Sequence, residues 1–342
     1  MKKYVTFGEI MMRLNPEGYL RFVQADRFTA TYAGAEASVA VSLCNYGKEA
    51  TFVTSLPNNE IGQSAINSLR RYGVDTSEIR REGNRIGIYF LEKGASQRPS
   101  KVIYDRAFSA FAEAKPGSFD WKEIFKDACW FHFTGITPAL SDSVAALTLE
   151  AVKAAKEMGV TVSCDLNYRS KLWSREKARE VMSELAKYVD VCIGNEEDAN
   201  DVFGIKAADT DVISGTLSEA GYRQVAEEMA AKFGFSYVAF TLRESISAND
   251  NNWSALLYDC KSKTCHFGKK YPVHIVDRVG GGDSFAAGLI YGISTGMEAQ
   301  DAIEFAVAAS CLKHSIEGDF NLVTVNEVNA LAGGNASGRV VR

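Results

Sequence analysis

The stretch "DRVGGGDSFAAGLIYG", residues 277–292, sets three glycines between two aspartates and then runs into small and apolar residues. Those types at that spacing could hold an anion beside a proton acceptor. Gly280, Gly281 and Gly282 can take positive φ and present bare backbone N–H groups to a phosphate at the positive end of a helix. Asp283, in the first turn, could then accept a proton from a neighbouring hydroxyl. An acid there also caps a helix, so the residues alone leave cap and anion cradle both open. The pattern is no P-loop, because GxxxxGK(S/T) and its lysine are absent, and GxGxxG is not matched.

Cations form a second group. In "IYDRA", strand alternation puts Tyr104 and Arg106 on one face. Arg169 follows "VTVSCDLN", at the strand end where ligands gather in open α/β sheets. A guanidinium grips a planar carboxylate through two parallel hydrogen bonds, which suits a small acidic ligand. "GNEEDAND" reads as a helix N-terminus with Asn195 as its cap. The four histidines are dispersed without metal-ligand spacing, and His132 in "WFHFTG" reads as a buried, hydrogen-bonded strand residue.

The elements that must position these groups alternate. "YVTFGEI", "EATFVTSLP", "DACWFHFTG", "VTVSCDLN", "VDVCIGN" and "FSYVAFTL" read as strands. Helical stretches separate them: "GAEASVAVSLCNY", "IGQSAINSLRRYG", "SVAALTLEAVKAAKEMG", "REKAREVMSELAKY" and "YRQVAEEMAAKFG". That rhythm predicts a parallel sheet covered on both faces. Two places break it: an extended stretch at 13–33, and the pair "RIGIYFLE" and "KVIYDRA", read as a hairpin. Both could form a lid over the ligand crevice or pair as edge strands. Residues 204–220 read as a polar surface insertion and "LAGGNASGRVVR" as a weakly ordered end.

Composition narrows the partners. A chain of 342 residues with 46% hydrophobic residues and a formal charge of −5 argues against nucleic acid or an anionic membrane as the main partner. Seven cysteines without a CxxC pair read as free thiols in a reducing compartment. No run of 18 apolar residues predicts a membrane span, and "MKKYVTFGEIMM" turns polar too soon for a secretory leader, so the cytoplasm is expected.

"DRVGGGD" resembles the C-terminal signature DTxGAGD of the ribokinase-like (PfkB) carbohydrate kinases. "YAGAEASVAVSLCNYG", residues 32–47, is similar to the family's N-terminal glycine-rich signature, and "NEED" at 195–198 to its NxxE motif. "FGEIMMRLNP", "NRIGIYFLEKGASQRPSKVIYDRA", "WFHFTGI", "DLNYRSKLW" and "TLRESIS" resemble the branch acting on the sugar acid 2-keto-3-deoxygluconate.

The resemblance implies an α/β fold: a three-layer α/β/α sandwich with a mostly parallel central sheet and a small β-sheet lid. It implies one kinase domain over 1–342, with lid segments at about 13–33 and 84–108. Asp283 would be the general base, and the amides of Gly280, Gly281, Gly282 and Asp283 the anion hole. Gly34, Ala35, Tyr89, Tyr104, Arg106 and Arg169 would bind the sugar acid. ATP, the co-substrate, would meet Asn195, Thr241, Arg243, Gly280, Gly282 and Ser310, the last on a small-residue helix lining the adenine pocket. Asn195 and Asp198 would hold hydrated magnesium. Asp277 would orient the anion hole or a nearby ion; some relatives use a monovalent cation there. Relatives pair through the lid, which implies a homo-oligomer.

Four positions depart from the family pattern: Arg278 for Thr, Gly281 for Ala, Ser38 for Asn and Asp198 for Glu. Arg98 and Lys101 are expected to solvate the hairpin turn, and Arg13 is not assigned to the pocket. The rivals are a kinase of a neutral sugar and a noncatalytic sugar-binding protein on the same scaffold. Two arginines would have no charge to neutralise on a neutral sugar.

Overall fold

β-branched and aromatic residues fill strands that are buried on both faces, as in "ATFVTSL" at 50–56, where every residue is buried. The computed structural model describes residues 2–207, 219–336 and 338. In chain order its strands are β1 (Lys3–Phe7), β2 (Met11–Asn15), β3 (Thr29–Ala33), β4 (Ala50–Leu56), β5 (Ile79–Arg81), β6 (Gly87–Glu92) and β7 (Lys101–Asp105). There follow β8 (Ala128–Thr134), β9 (Thr161–Asp165), β10 (Val191–Gly194), β11 (Tyr237–Ser245), β12 (Asp250–Asp259), β13 (Thr264–Phe267) and β14 (Tyr271–His274).

The larger sheet runs β13-β12-β11-β10-β9-β8-β1-β4-β5, with β14 also paired to β12. From β5 to β11 all neighbours are parallel. Side-chain alternation sends Phe52 to one hydrophobic cluster and Val53 to the other, and separates Tyr4 from Val5 in the same way. Helices therefore cover both faces, as the alternation predicts. Asn59, Ser141 and Ser174 accept the cap hydrogen bonds that start three of those helices.

The antiparallel end, β12 to β14, is not anticipated by the strand-helix rhythm, since its strands pair directly without crossover helices, β12 with β11, β13 and β14. Of the expected surface insertion at 204–220, residues 208–218 lie outside the described residues, and a helix runs Glu219–Phe233. Residues 337 and 339–342 of the tail also lie outside them.

The two segments that break the rhythm meet in a separate four-stranded sheet, β3-β2-β6-β7. β6 and β7 form the expected antiparallel hairpin, and β2 pairs with β6 in parallel. The sheet begins at Met11, two residues before the expected boundary, because β2 pairs with β3 from Met11↔Ala33 onward. It is no edge of the main sheet. In the main sheet β4 and β8 flank β1 on opposite sides, which opens a crevice at the strands' carboxyl ends.

All seven cysteines are free, with Cys164 and Cys192 buried and the others half-exposed. Among the described residues no helix is long and apolar enough to cross a membrane.

Candidate active site

The helix Gly281–Ser294 points its N-terminus into that crevice. Its N-cap, Gly280, has φ +83°, and a Cβ there would stand 2.0 Å from the Asp319 carbonyl oxygen, so only glycine fits the turn. The first bond of the helix is Ser284 N–H to the Gly280 carbonyl, 2.9 Å. Among the described residues the amides of Gly280, Gly281, Gly282 and Asp283 meet no acceptor. A Cβ on Gly282 would meet nothing within 4 Å, so the approach to these amides is open. Four unpaired donors at a helix N-terminus fit an anion.

A cavity of about 450 Å³ lies over them, between the carboxyl ends of the main sheet and the small sheet. Asp283 lines it. Burial, then the charges of Asp165, Glu36 and Asp319, push its pKa well above the carboxylate range, while Arg169 pulls the other way. Among the described residues Asp283 makes no side-chain hydrogen bond to its helix, and it stands in the first turn, where a carboxylate also favours the helix dipole.

The residues expected to bind the sugar acid meet in this cavity. Gly34, Ala35, Tyr89, Tyr104, Arg106 and Arg169 all line it. Tyr104 lies under Arg106, whose guanidinium carbon is 5.6 Å from the ring centroid, so the expected shared face is observed. Two hydroxyl and cation roles need amendment. Tyr89 is 5% exposed and its hydroxyl donates to Asp319 Oδ1 at 2.6 Å, so it offers a ring rather than a free hydroxyl. Arg106 is ion-paired with Glu9. Gly34 has its own local task, because a Cβ there would stand 2.1 Å from the Glu9 carbonyl oxygen. Arg169 is exposed, and among the described residues its side chain bonds only its neighbour's carbonyl, Tyr168 O at 3.1 Å.

Asn195, Asp198, Thr241 and Arg243 line the same cavity, as does Arg278. Arg243 has no hydrogen-bond or ion-pair partner among the described residues. Burial, then the charge of Arg243, lowers the Arg278 pKa. Two guanidiniums facing one cavity with no ion pair among the described residues favour a polyanion. Ser310 is not among them. It is fully buried, and its hydroxyl donates to the Gly281 carbonyl at 2.6 Å. Its small residues pack the helix Ala299–Lys313 against Gly281–Ser294, and none of 306–314 reaches the cavity.

Asn195 and Asp198 form a reciprocal cap: Asp198 N–H donates to Asn195 Oδ1 at 2.8 Å, and Asn195 N–H to Asp198 Oδ2 at 3.2 Å. Tyr168 N–H donates to the other Asp198 oxygen at 3.0 Å. Burial pushes the Asp198 pKa up to about 6. Asp165 rises to about 7 through burial and the Asp198 charge. Buried carboxyl groups of this kind fit a hard cation. Among the described residues no three acidic, histidine or cysteine side chains form a metal cluster, so phosphate and water would complete the shell.

Several site groups were missed from the sequence. Asp165 lines the cavity at the end of β9, the same signal that singled out Arg169. Glu36 lines it too, buried and raised in pKa by that burial, with Oε1 accepting from Thr134 N, Thr134 Oγ1 and Thr137 Oγ1. Its signal is an acid inside an otherwise apolar helix. Glu9 follows the first strand directly. Asp319 sits in a loop and carries no local signal.

Other expectations are settled nearby. Ser38 is buried outside the cavity lining, with no partner for its hydroxyl among the described residues. His132 Nδ1 meets Ser163 Oγ at 2.8 Å, and burial lowers its pKa to about 3. Arg98 pairs with Glu92 at 2.8 Å within the small-sheet region, and Lys101 is exposed. A second concavity, about 640 Å³, lies at the strands' amino ends beside Lys2, Lys48 and Asp190, remote from the glycine turn.

A parallel sheet, a second sheet over its carboxyl ends and a glycine turn of unpaired amides beside a raised carboxyl define a phosphotransferase-like site. The pfkB family carbohydrate kinase model matches residues 1–321, and the chain belongs to that family. It is similar to the crystal structure of 2-dehydro-3-deoxygluconokinase from Thermotoga maritima: 52% identity, 97% of this chain, 98% of that one, TM-score 0.93. It is 34% identical to 2-dehydro-3-deoxygalactonokinase of Haloferax volcanii, over 97% of both chains. The 2-dehydro-3-deoxygluconokinase of Bacillus subtilis is 27% identical, over 94% of this chain and 93% of the relative.

Proposed function

We propose that this chain, as one catalytic unit over 1–342, transfers the γ-phosphoryl group of ATP to the terminal hydroxyl of 2-keto-3-deoxy-D-gluconate, giving its 6-phosphate. The observation that carries the reading is the junction of four unpaired amides with a proton acceptor, in one cavity with Arg106 and Arg169. Likeness to the Thermotoga kinase over nearly the whole chain supports the substrate class.

The residues divide the work. Asp283 takes the proton as the sugar oxygen attacks, and a raised pKa makes its ionised form a stronger base. The amides of residues 280–283 meet the charge that spreads over the transferring group. Arg169 and the free edge of Arg106 take the sugar carboxylate, and Tyr104 and the backbone at Gly34 and Ala35 shape the pocket. Arg243, Arg278 and Thr241 border the nucleotide, and Asn195 and Asp198 would hold the water shell of magnesium. That ion supplies charge neutralisation on the phosphates. Exposed apolar residues on and beside the small sheet, Val23, Ile103 and Phe108 among them, support pairing of two copies through it. Seven free thiols support a cytoplasmic location.

A coupled assay of ATP consumption over the gluco acid, its galacto epimer, fructose and ribose tests the reading. Preference for the gluco acid is expected. Faster turnover of a neutral sugar would overturn it, and preference for the galacto epimer would move the assignment toward the Haloferax relative.

A further inference from the structure

Arg13 belongs to β2 of the small sheet, yet its side chain leaves that sheet altogether. It is 1% exposed. Nη2 donates to Asp277 Oδ2 at 2.6 Å and Nη1 to Asp319 Oδ2 at 2.5 Å. Asp277 opens the turn that carries the anion hole. Its Oδ1 accepts from Val279 N–H at 3.2 Å and its Oδ2 from Gly318 N–H at 3.2 Å. Asp319 is the residue whose carbonyl abuts Gly280. One guanidinium thus holds both walls of the turn.

The same junction has further ties. Tyr89, beside Arg13 in the β2–β6 register, donates its hydroxyl to Asp319. Val279, in the middle of the turn, packs into the small sheet's own hydrophobic cluster of Met11, Ala33, Tyr89 and Leu91. Lys93, just beyond β6, is ion-paired with Glu317. The small sheet contributes the cation, a hydroxyl and the apolar socket, and the turn contributes the carboxylate and the plug.

We propose that Arg13 is a positioning residue for phosphoryl transfer, which fixes the anion-hole turn to the small sheet so that the two move as one body. The amides of residues 280–283 keep their aim only while the sheet is seated. A buried guanidinium with two carboxylates specifies geometry, because each partner is left uncompensated if the sheet departs. The inference rests on the phosphotransfer reading for its kinetics and on the geometry alone for its mechanics.

Two measurements test it. The double variant Arg13→Gln/Asp319→Asn removes one charge of each sign and leaves Asp277 beside Lys313. Its melting temperature is expected to stay near that of the parent. Its kcat for the sugar acid should fall about tenfold to hundredfold, as for a misdirected oxyanion donor, with KM for the sugar acid unchanged. Parental kcat, or a rise in KM with kcat intact, would overturn the proposal, since a purely structural or substrate-binding role predicts one or the other. Hydrogen exchange on the wild-type protein needs neither the variant nor the substrate. The hydrogen-bonded amides of the turn and its flank, those of Asp277, Val279 and Gly318, should exchange at the rate of the β2 and β6 amides. A small sheet that opens while the turn keeps its protection sinks the idea, even if the variant fails to fold. Absence of wild-type turnover would instead count against the phosphotransfer reading.

Discussion

The guanidinium of Arg106 rests on one carboxylate oxygen of Glu9, with Nε at 2.9 Å and Nη2 at 2.5 Å from Oε2. The Ser109 hydroxyl holds the other oxygen. Arg106 therefore arrives at the cavity already oriented, with Nη1 left for a ligand. Glu9→Gln should release it. We expect KM for the sugar acid to rise about tenfold, because a binding group misplaced by ~1 Å costs up to ~10². Steady-state kinetics against the sugar acid check this, and an unchanged KM would show that Glu9 does not orient Arg106.

Arg169 acts on two things at once. It is free to meet a carboxylate, and it lowers the pKa values of Asp165, Asp198 and Asp283 against the burial that raises them. Arg169→Ala should raise KM for the sugar acid by about 10–100-fold, the worth of a charge-assisted hydrogen bond. It should also move the acid limb of the kcat/KM profile to higher pH, since Asp283 must then lose its proton without a nearby cation. Equal KM effects on acidic and neutral sugars, or a static limb, would argue against this double role.

Asp283→Asn keeps the side-chain volume and all four amides but removes the proton acceptor. Turnover should fall by about 10³, within the range of general-base contributions, while sugar-acid binding survives. Calorimetry gives the binding and the coupled assay the rate. Near-parental turnover would remove Asp283 from the base position.

How much of this was legible beforehand follows from where each signal is written. Period-two strands and capped helices are local, so the parallel half of the sheet could be read from "EATFVTSLP" or "VTVSCDLN". The glycine turn could be read because three consecutive glycines cost stability unless backbone must approach something. Ser310 lies off the cavity lining, and its sequence could not tell this, because small residues fit a ligand pocket and a close helix pair equally well. Arg13 was passed over because its partners lie 264 and 306 residues away. No local spacing encodes such contacts. Tyr89 was expected to bind the sugar acid, but the destination of its hydroxyl depended on Asp319, which lies in an irregular loop.

Lys313 gives the Asp277 loop a cation of its own. The residue is fully buried, and its ammonium donates to the Ile316 carbonyl at 3.1 Å and the Asp277 carbonyl at 3.4 Å. Carbonyl oxygens gathered on a buried positive charge leave no demand for a free alkali ion there. Rates in potassium, sodium and tetramethylammonium chloride at equal ionic strength should coincide. Strict potassium dependence would show that the ammonium does not serve this purpose.

Asp165 offers a test of the cavity's electrostatics without substrate. Its pKa is near 7 in the folded chain against an ordinary 3.8, so the native state binds the extra proton between those values. Stability is then highest below pH 4 for this group and declines as pH rises toward 7, because the carboxylate must be charged in a buried place. The full shift corresponds to about 4 kcal/mol at ~1.4 kcal/mol per unit. Asp165→Asn removes the charge and should stabilise the ligand-free protein by about 1–4 kcal/mol at neutral pH, with little effect at pH 4. Denaturant unfolding at the two pH values reads the difference. A variant that is less stable than the parent at pH 7 would mean that the Asp165 carboxylate is held by favourable charge rather than crowded by Asp198. In that case the acidic side of the cavity would be no cation site in waiting.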